Sequence, residues 1–161
     1  LAVDLITMLA HTSGSERLVG GQMQDLISEG GEPNEIDLSY IHSNKTAAMI
    51  KASLNMGFRV GMKGGDQILL NRMEEVGHSL GLAFQAVDDL LDITRTSEQL
   101  GKDAGHDDES GKVTWISLKG EKAARRLASV HTERARQHLE SIGGDSEFLS
   151  ELMKQMLDRQ S

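Results

Sequence analysis

The sequence contains no cysteine, a single proline and few aromatic side chains, which make up 3% of its 161 residues. Without cysteine the chain has neither a disulfide framework nor a thiolate zinc site. The scarcity of proline and of β-branched runs favours helix over sheet. A core with so few rings must be aliphatic, built from Leu, Ile, Val, Met and Ala. These absences together predict an all-α fold.

Positive charge is also scarce, since 17 basic side chains stand against 25 acidic ones and give a formal net charge of -8. A general nucleic-acid binder needs a basic surface, so this class of partner is excluded. No apolar run reaches the roughly 18 residues that are needed to span a bilayer. We therefore expect no membrane span and a cytoplasmic location.

Apolar residues at helical spacing predict five or six helices, no sheet and a single domain over residues 1–161. The helices are expected at residues 1–30 with a break, 35–59, 66–94, 121–142 and 146–159. Residues 95–113 are polar and glycine-rich, which predicts a long loop of the kind that often carries function.

Three local features refine this picture. Ser13 followed by Glu16 resembles a capping box between the two apolar stripes of residues 1–30. Gly77 and Gly81 lie four residues apart on the third helix, where a second helix could approach closely. That third helix is expected to bury Ile68, Leu69, Met73, Val76, Leu80, Phe84, Val87 and Leu91.

Three aspartates, Asp88, Asp89 and Asp92, interrupt the apolar pattern near the end of the third helix. Residues four apart share a helix face, so Asp88 and Asp92 should repel each other unless a cation neutralises them. Oxygen ligands suit Mg²⁺, Mn²⁺ or Ca²⁺. Mg²⁺ typically takes one or two carboxylates and completes its shell with water and phosphate oxygens. These residues alone are equally compatible with a solvated acidic face.

The polar segment that follows favours the metal site. It contains Gly101-Lys102, Asp107 and Gly111-Lys112. Glycines let a backbone approach an anion, and mobile lysines supply compact positive charge. Each lysine alone would be read as an ordinary surface residue. Together with the aspartates they predict that the chain binds a diphosphate.

Three blocks resemble the trans-isoprenyl (polyprenyl) diphosphate synthases, and among them the bacterial farnesyl-diphosphate type. They are Gly20–Leu26 (GGQMQDL), His42–Ala48 (HSNKTAA), and Phe84–Asp92 (FQAVDDLLD) with the lysine segment up to Thr114. The resemblance implies an isoprenoid-synthase-type helical bundle around a central cavity. It implies condensation of an allylic diphosphate with isopentenyl diphosphate to a short-chain prenyl diphosphate, with Mg²⁺ (or Mn²⁺) as cofactor.

The resemblance also assigns roles at the diphosphate end. Asp88 matches a ligand of Mg²⁺, and Asp89 and Asp92 match supporting carboxylates. Lys45 and Lys102 match lysines that bind the allylic diphosphate. The implied reaction ionises the allylic substrate, and the alkene of isopentenyl diphosphate then attacks before a proton is lost.

Other matches lie around the reacting carbons. Thr46 and Gln85 correspond to polar groups that stabilise the cation or assist proton removal. Phe84 corresponds to a wall of the isopentenyl site, and Lys112 to the lysine of a closing loop. Trp115 stands where the family often has Tyr. The implied catalytic residues are Lys45, Thr46, Gln85, Asp88 and Lys102.

Half of the family's pattern is missing from the sequence. The first aspartate-rich motif with its Arg pair does not occur, and neither does the N-terminal Gly-Lys-x-x-Arg site for isopentenyl diphosphate. We therefore expect residues 1–161 to be the C-terminal half of one all-α domain, to expose an apolar face, and to be inactive alone. Product length cannot be read, because the residues that limit it lie near the missing motif.

Alternatives from other classes stay open. The chain could be a non-catalytic helical partner or regulatory subunit that keeps the fold, although such a module has no need for the aspartates and lysines together. A Mg²⁺-dependent diphosphate hydrolase is disfavoured by the Lys45-Thr46 block. The family resemblance also implies a homodimer.

Overall fold

The computed structural model describes residues 1–29, 31–32, 34–63, 66–98 and 113–158, with side chains omitted for 93–98. Over these ranges the chain is helical and contains no strand, as the composition predicts. The elements are α1 (Ala2–Ser13), α2 (Leu18–Ser28), α3 (Glu35–Ile41), a π-helix (His42–Ala47), α4 (Ala48–Gly61), α5 (Gln67–Glu98), α6 (Trp115–Lys119), α7 (Glu121–Ile142) and α8 (Glu147–Leu157). None of the helices described is both long and apolar enough to cross a lipid bilayer.

Helix α5 is the central element, and it packs against α4, the π-helix and α7. Its buried stripe contains Met73, Val76, Leu80, Val87 and Leu91, as predicted. The facing residues of α7 are largely small: Ala124, Ala128, Ala135 and Leu139. The core is thus aliphatic.

The prediction that Ile68 is buried is wrong, since this side chain is 64% exposed. At about 100° per residue, Ile68 lies roughly 80–140° away from the buried stripe around the axis of α5. Ile68 therefore lies outside the face of α5 that contacts the core.

The glycine pair on α5 allows the close approach that the sequence predicts. A Cβ atom on Gly77 would lie 2.5 Å from the Cα of Lys51, and one on Gly81 would lie 2.4 Å from the Cα of Ala47. Both contacts are with backbone atoms, which cannot rotate away. The two glycines therefore let α5 pack directly on α4 and the π-helix.

The predicted second helix is in fact three segments, α3, the π-helix and α4, joined without a break. The π-helix buries His42, Asn44 and Ala47. The wider turn of a π-helix is a recurring feature of functional sites. Here it contains both Lys45 and Thr46.

Two helix starts differ from the sequence predictions. Ser13 does not cap α2; it is the last residue of α1, and its hydroxyl donates to the Leu9 carbonyl at 2.7 Å. A capping box instead begins α6, where Thr114 and Ser117 exchange side-chain and backbone hydrogen bonds. Helix α6 lies in a region that the sequence did not predict to be helical.

Helices α1 to α3 expose many large apolar side chains. Helix α1 has no buried residue. The side chains that are more than half exposed are Leu1, Val3, Ile6, Val19, Met23, Leu26, Ile27 and Ile36. Isolated soluble domains rarely leave so much apolar surface uncovered, and the observation matches the expectation of an exposed apolar face.

Candidate functional site

A cavity of about 230 Å³ lies between α2, the π-helix and α5. It brings together six residues that the sequence assigned to the site, Lys45, Thr46, Phe84, Gln85, Asp88 and Asp89. The remaining lining residues are Asp25, Leu38, Ile41, His42 and Val113. The cavity is therefore lined by both charged or polar side chains and apolar ones.

Two glycine contacts set the geometry of this cavity. Gly81, which lies one turn before Gln85 on α5, packs on Ala47, the residue after Thr46 in the π-helix. This contact fixes the spacing between the π-helix and α5. Gly21 does the same for α2, because a Cβ there would lie 2.5 Å from the backbone nitrogen of Lys45. The cavity thus depends on close backbone contacts at both edges of the π-helix.

Lys45 is held by a residue to which the sequence assigned no role. Its Nζ lies 2.6 Å from Oδ2 of Asp25 on α2, and the two side chains are 31% and 13% exposed. Gly21 and Asp25 are four residues apart, so they share the face of α2 that meets the π-helix. That spacing within the GGQMQDL block is the signal that could have identified Asp25.

The two adjacent aspartates have different environments. Asp88 is half-buried and lines the cavity, whereas Asp89 is buried and accepts a hydrogen bond from the backbone N–H of Trp115 at 2.9 Å. One oxygen of Asp89 therefore anchors the first residue of α6. Asp92 is half-buried and is not among the residues that line the cavity.

Among the residues with described side chains, no three His, Asp or Glu groups form a ready metal cluster. The donor set still fits Mg²⁺ in the presence of a diphosphate, because that ion needs only one or two carboxylates when phosphate oxygens and water complete its shell. Three carboxylates line the cavity with Lys45. Asp25 is paired with Lys45 and Asp89 accepts from the Trp115 N–H, so Asp88 is the residue that would hold the ion.

Helix α6 contacts the π-helix beside the site. The ring of Trp115 meets that of His42 edge-on, with ring centroids 6.0 Å apart. The ammonium group of Lys119 lies 5.5 Å from the centre of the Trp115 ring. Trp115 is half-buried and, through its N–H and its ring, contacts two residues that line the cavity.

Two predicted site residues, Lys102 and Lys112, lie outside the described residues. Their assignment to substrate binding stays a prediction.

A larger cavity of about 400 Å³ lies between α1, α4 and α5, but none of the predicted site residues that the structure describes lines it. Its charged groups already have partners in the protein. Lys51 Nζ lies 3.2 Å from Glu74, and Arg17 donates to Asn44 at 2.9 Å. The smaller cavity, with Lys45 and Asp88, is the better candidate for a functional site.

The all-helical fold is that of the isoprenoid synthases, and its cavity combines a lysine, an aspartate and a glutamine with apolar side chains. The family model of the polyprenyl synthetases matches residues 2–156. The chain therefore belongs to the polyprenyl synthetase family, which confirms the resemblance seen in the sequence.

Individual relatives agree with this assignment. The chain is 38% identical to geranylgeranyl pyrophosphate synthase 4 of Arabidopsis thaliana, over 89% of this chain and 39% of the relative. It is also 38% identical to the heterodimeric geranylgeranyl pyrophosphate synthase large subunit 1 of the same plant, over 90% and 39% respectively. The chain thus spans less than half the length of these relatives.

A solved structure of a Helicobacter pylori geranyltransferase, complexed with magnesium and isoprenyl diphosphate, superposes with a TM-score of 0.78 at 30% identity. The match covers 98% of this chain and 51% of that protein.

Proposed function

We propose that this chain forms one wall of a trans-prenyltransferase site that joins an allylic diphosphate to isopentenyl diphosphate and yields a short-chain prenyl diphosphate. The observation that carries the proposal is the shared cavity of Lys45, Thr46, Gln85 and Asp88. Membership of the polyprenyl synthetase family supports it, as does the likeness to a geranyltransferase that binds magnesium and isoprenyl diphosphate.

The charged residues of the cavity would bind the diphosphate group. The Lys45 ammonium has three N–H donors, of which Asp25 takes one and leaves two for phosphate oxygens. Asp88, with Asp92 one turn further along α5, would hold Mg²⁺. When bound, that ion supplies positive charge for the diphosphate as it leaves. Lys102 and Lys112 would add charge from the following segment.

The apolar lining residues would shelter the reacting carbons from water. They are Phe84, Leu38, Ile41 and Val113. Gln85 and Thr46 place an amide and a hydroxyl in the same cavity, where they can stabilise positive charge or accept a proton through their oxygens. A carbocation would thus face aliphatic and aromatic carbon and neutral dipoles.

The cavity is too small for whole substrates. Pockets that enclose a small organic ligand usually measure about 300–1,000 Å³, whereas this one measures about 230 Å³. It has room for a diphosphate, but a prenyl chain needs a further wall. We propose that a segment with the family's first aspartate-rich motif provides this wall and covers the exposed apolar residues of α1 to α3.

Calorimetric titration of the purified chain with inorganic pyrophosphate tests the proposal. We expect binding that requires Mg²⁺, that Mn²⁺ also supports, and that Lys45→Ala and Asp88→Ala each weaken at least about tenfold. Glu151→Ala removes an exposed carboxylate from α8 and should leave binding unchanged. A non-catalytic scaffold would respond to neither Mg²⁺ nor pyrophosphate.

Turnover distinguishes one wall from a complete enzyme. We expect this chain alone to form no product from isopentenyl and dimethylallyl diphosphates, because the proposed second wall is lacking. Product formation by the purified chain would contradict this part of the proposal. A homodimer stays a prediction, since one relative is named as the large subunit of a heterodimer.

A further inference from the structure

Asp25 lines the cavity beside Lys45, where a carboxylate should by simple electrostatics oppose the binding of an anion. Its Oδ2 lies 2.6 Å from Lys45 Nζ, and its side chain is only 13% exposed. Three carboxylates, those of Asp25, Asp88 and Asp89, therefore share the cavity with Lys45. Unlike Asp88, Asp25 lies on α2, away from the aspartate cluster of α5.

The backbone of α2 is held in place next to the lysine. Gly21, one turn before Asp25, lies so close to the π-helix that any Cβ would meet Lys45 N at 2.5 Å and Asn44 C at 3.0 Å. Asn44 in turn accepts a hydrogen bond from Arg17, which immediately precedes α2, at 2.9 Å. The position of Asp25 relative to Lys45 is thus fixed by contacts on both sides.

We infer that Asp25 is a positioning residue: it holds the Lys45 ammonium in the cavity in the orientation that binds a diphosphate. The inference rests on the proposed function of this cavity. A free lysine side chain must lose rotamer freedom when it binds, which corresponds to about a tenfold change in an equilibrium constant. A partner that orders the side chain in advance removes that loss and still leaves two N–H donors for the anion.

The sign of one measurement separates positioning from charge alone. If Asp25 acts only through its negative charge, Asp25→Ala removes repulsion and strengthens pyrophosphate binding. If Asp25 positions Lys45, Asp25→Ala weakens binding about tenfold. Asp25→Asn keeps an acceptor oxygen, so it should restore part of the affinity. The control Glu151→Ala removes one negative charge from an exposed position on α8, and it should change the affinity for pyrophosphate less than about twofold.

The experiment is calorimetric titration of the chain and these variants with pyrophosphate at saturating Mg²⁺. In a Lys45→Ala background, Asp25→Ala should not weaken binding further, because there is no ammonium left to position; removal of the unpaired carboxylate should leave the affinity unchanged or raise it. A merely structural role of Asp25 would lower affinity equally in both backgrounds. Unchanged or tighter binding by Asp25→Ala overturns the inference.

A second readout needs no pyrophosphate. Reductive methylation with ¹³C-formaldehyde labels each lysine, and Lys45→Arg identifies the Lys45 resonance. In the methylated chain without substitutions this resonance should differ from those of exposed lysines, and Asp25→Ala should move it to their position. Lack of any pyrophosphate binding would count against the proposed function, whereas a Lys45 resonance that ignores Asp25→Ala would overturn the positioning role itself.

Discussion

Replacement of Gly81 by alanine should destabilise the protein, although alanine is the better helix former. The new Cβ would lie 2.4 Å from the Cα and 2.5 Å from the Cβ of Ala47. Neither atom can move without its backbone, so α5 and the π-helix must separate. Overpacking of this kind costs about 1–3 kcal/mol, and the helix propensity of alanine returns up to about 1 kcal/mol. We expect a net loss of about 1–2 kcal/mol.

Gly57→Ala is the matched control. It changes the same residue type inside α4, where nothing lies within 4 Å of the added Cβ. We expect Gly57→Ala to stabilise the chain by about 0.5–1 kcal/mol. Urea denaturation at constant pH measures the free energy of unfolding of both variants. In thermal unfolding the midpoint should shift by about 2–4 °C per kcal/mol.

The two glycine variants should therefore have opposite signs. Gly81→Ala should also weaken pyrophosphate binding, because the separation moves Lys45 and Thr46 away from Gln85 and Asp88. If Gly81→Ala stabilised the chain as Gly57→Ala does, the close contact that sets the width of the cavity would be refuted.

Three further outcomes follow from described contacts. Burial holds the pKa of His78 and of His131 below the ordinary value of 6.5. The unfolded chain therefore takes up protons at a higher pH than the folded chain, and stability that is present above pH 6.5 should be lost as the pH falls through the folded-state pKa values. The urea midpoints at pH 7.5 and pH 5.5 should therefore differ less in His78→Asn than in the chain without substitutions. Asp89→Ala should leave the backbone N–H of Trp115 without this acceptor and lower the free energy of unfolding by about 1–3 kcal/mol. It should also shift the fluorescence emission of this single tryptophan to longer wavelength. Both effects should be smaller in Asp89→Asn, which keeps an acceptor oxygen. Asn34→Ala should cost about 1 kcal/mol in urea unfolding, since the Asn34 side chain accepts from the first turn of α3 at 2.8 Å; an unchanged midpoint would contradict that cap.

The fold was predictable because its causes are local. The spacing of apolar residues predicted α5, and the small residues Gly77 and Gly81 predicted that another helix packs closely against it. Prediction failed where two local choices compete. Ser13 could cap the next helix or bond back into its own, and it does the latter. The π-helix at His42–Ala47 has the residue pattern of an ordinary helix, so the sequence offered no sign of it.

The site was predictable in its members but not in its geometry. The motif around Asp88 and the Lys45-Thr46 block named most of the lining residues. The ion pair of Asp25 and Lys45 joins residues 20 positions apart, and only the tertiary packing of α2 on the π-helix brings them together. The unequal environments of Asp88 and Asp89 likewise depend on where α6 begins.

The central claim is that the cavity of Lys45 and Asp88 binds a metal-bound diphosphate. A crystal structure of the chain with Mn²⁺ and pyrophosphate tests it most directly, because the anomalous signal of Mn²⁺ locates the ion independently. We predict a Mn²⁺ peak about 2–2.3 Å from a carboxylate oxygen of Asp88, with pyrophosphate oxygens within hydrogen-bond distance of Lys45 Nζ. An ion and pyrophosphate bound elsewhere, with this cavity empty at saturating concentrations, would contradict the account.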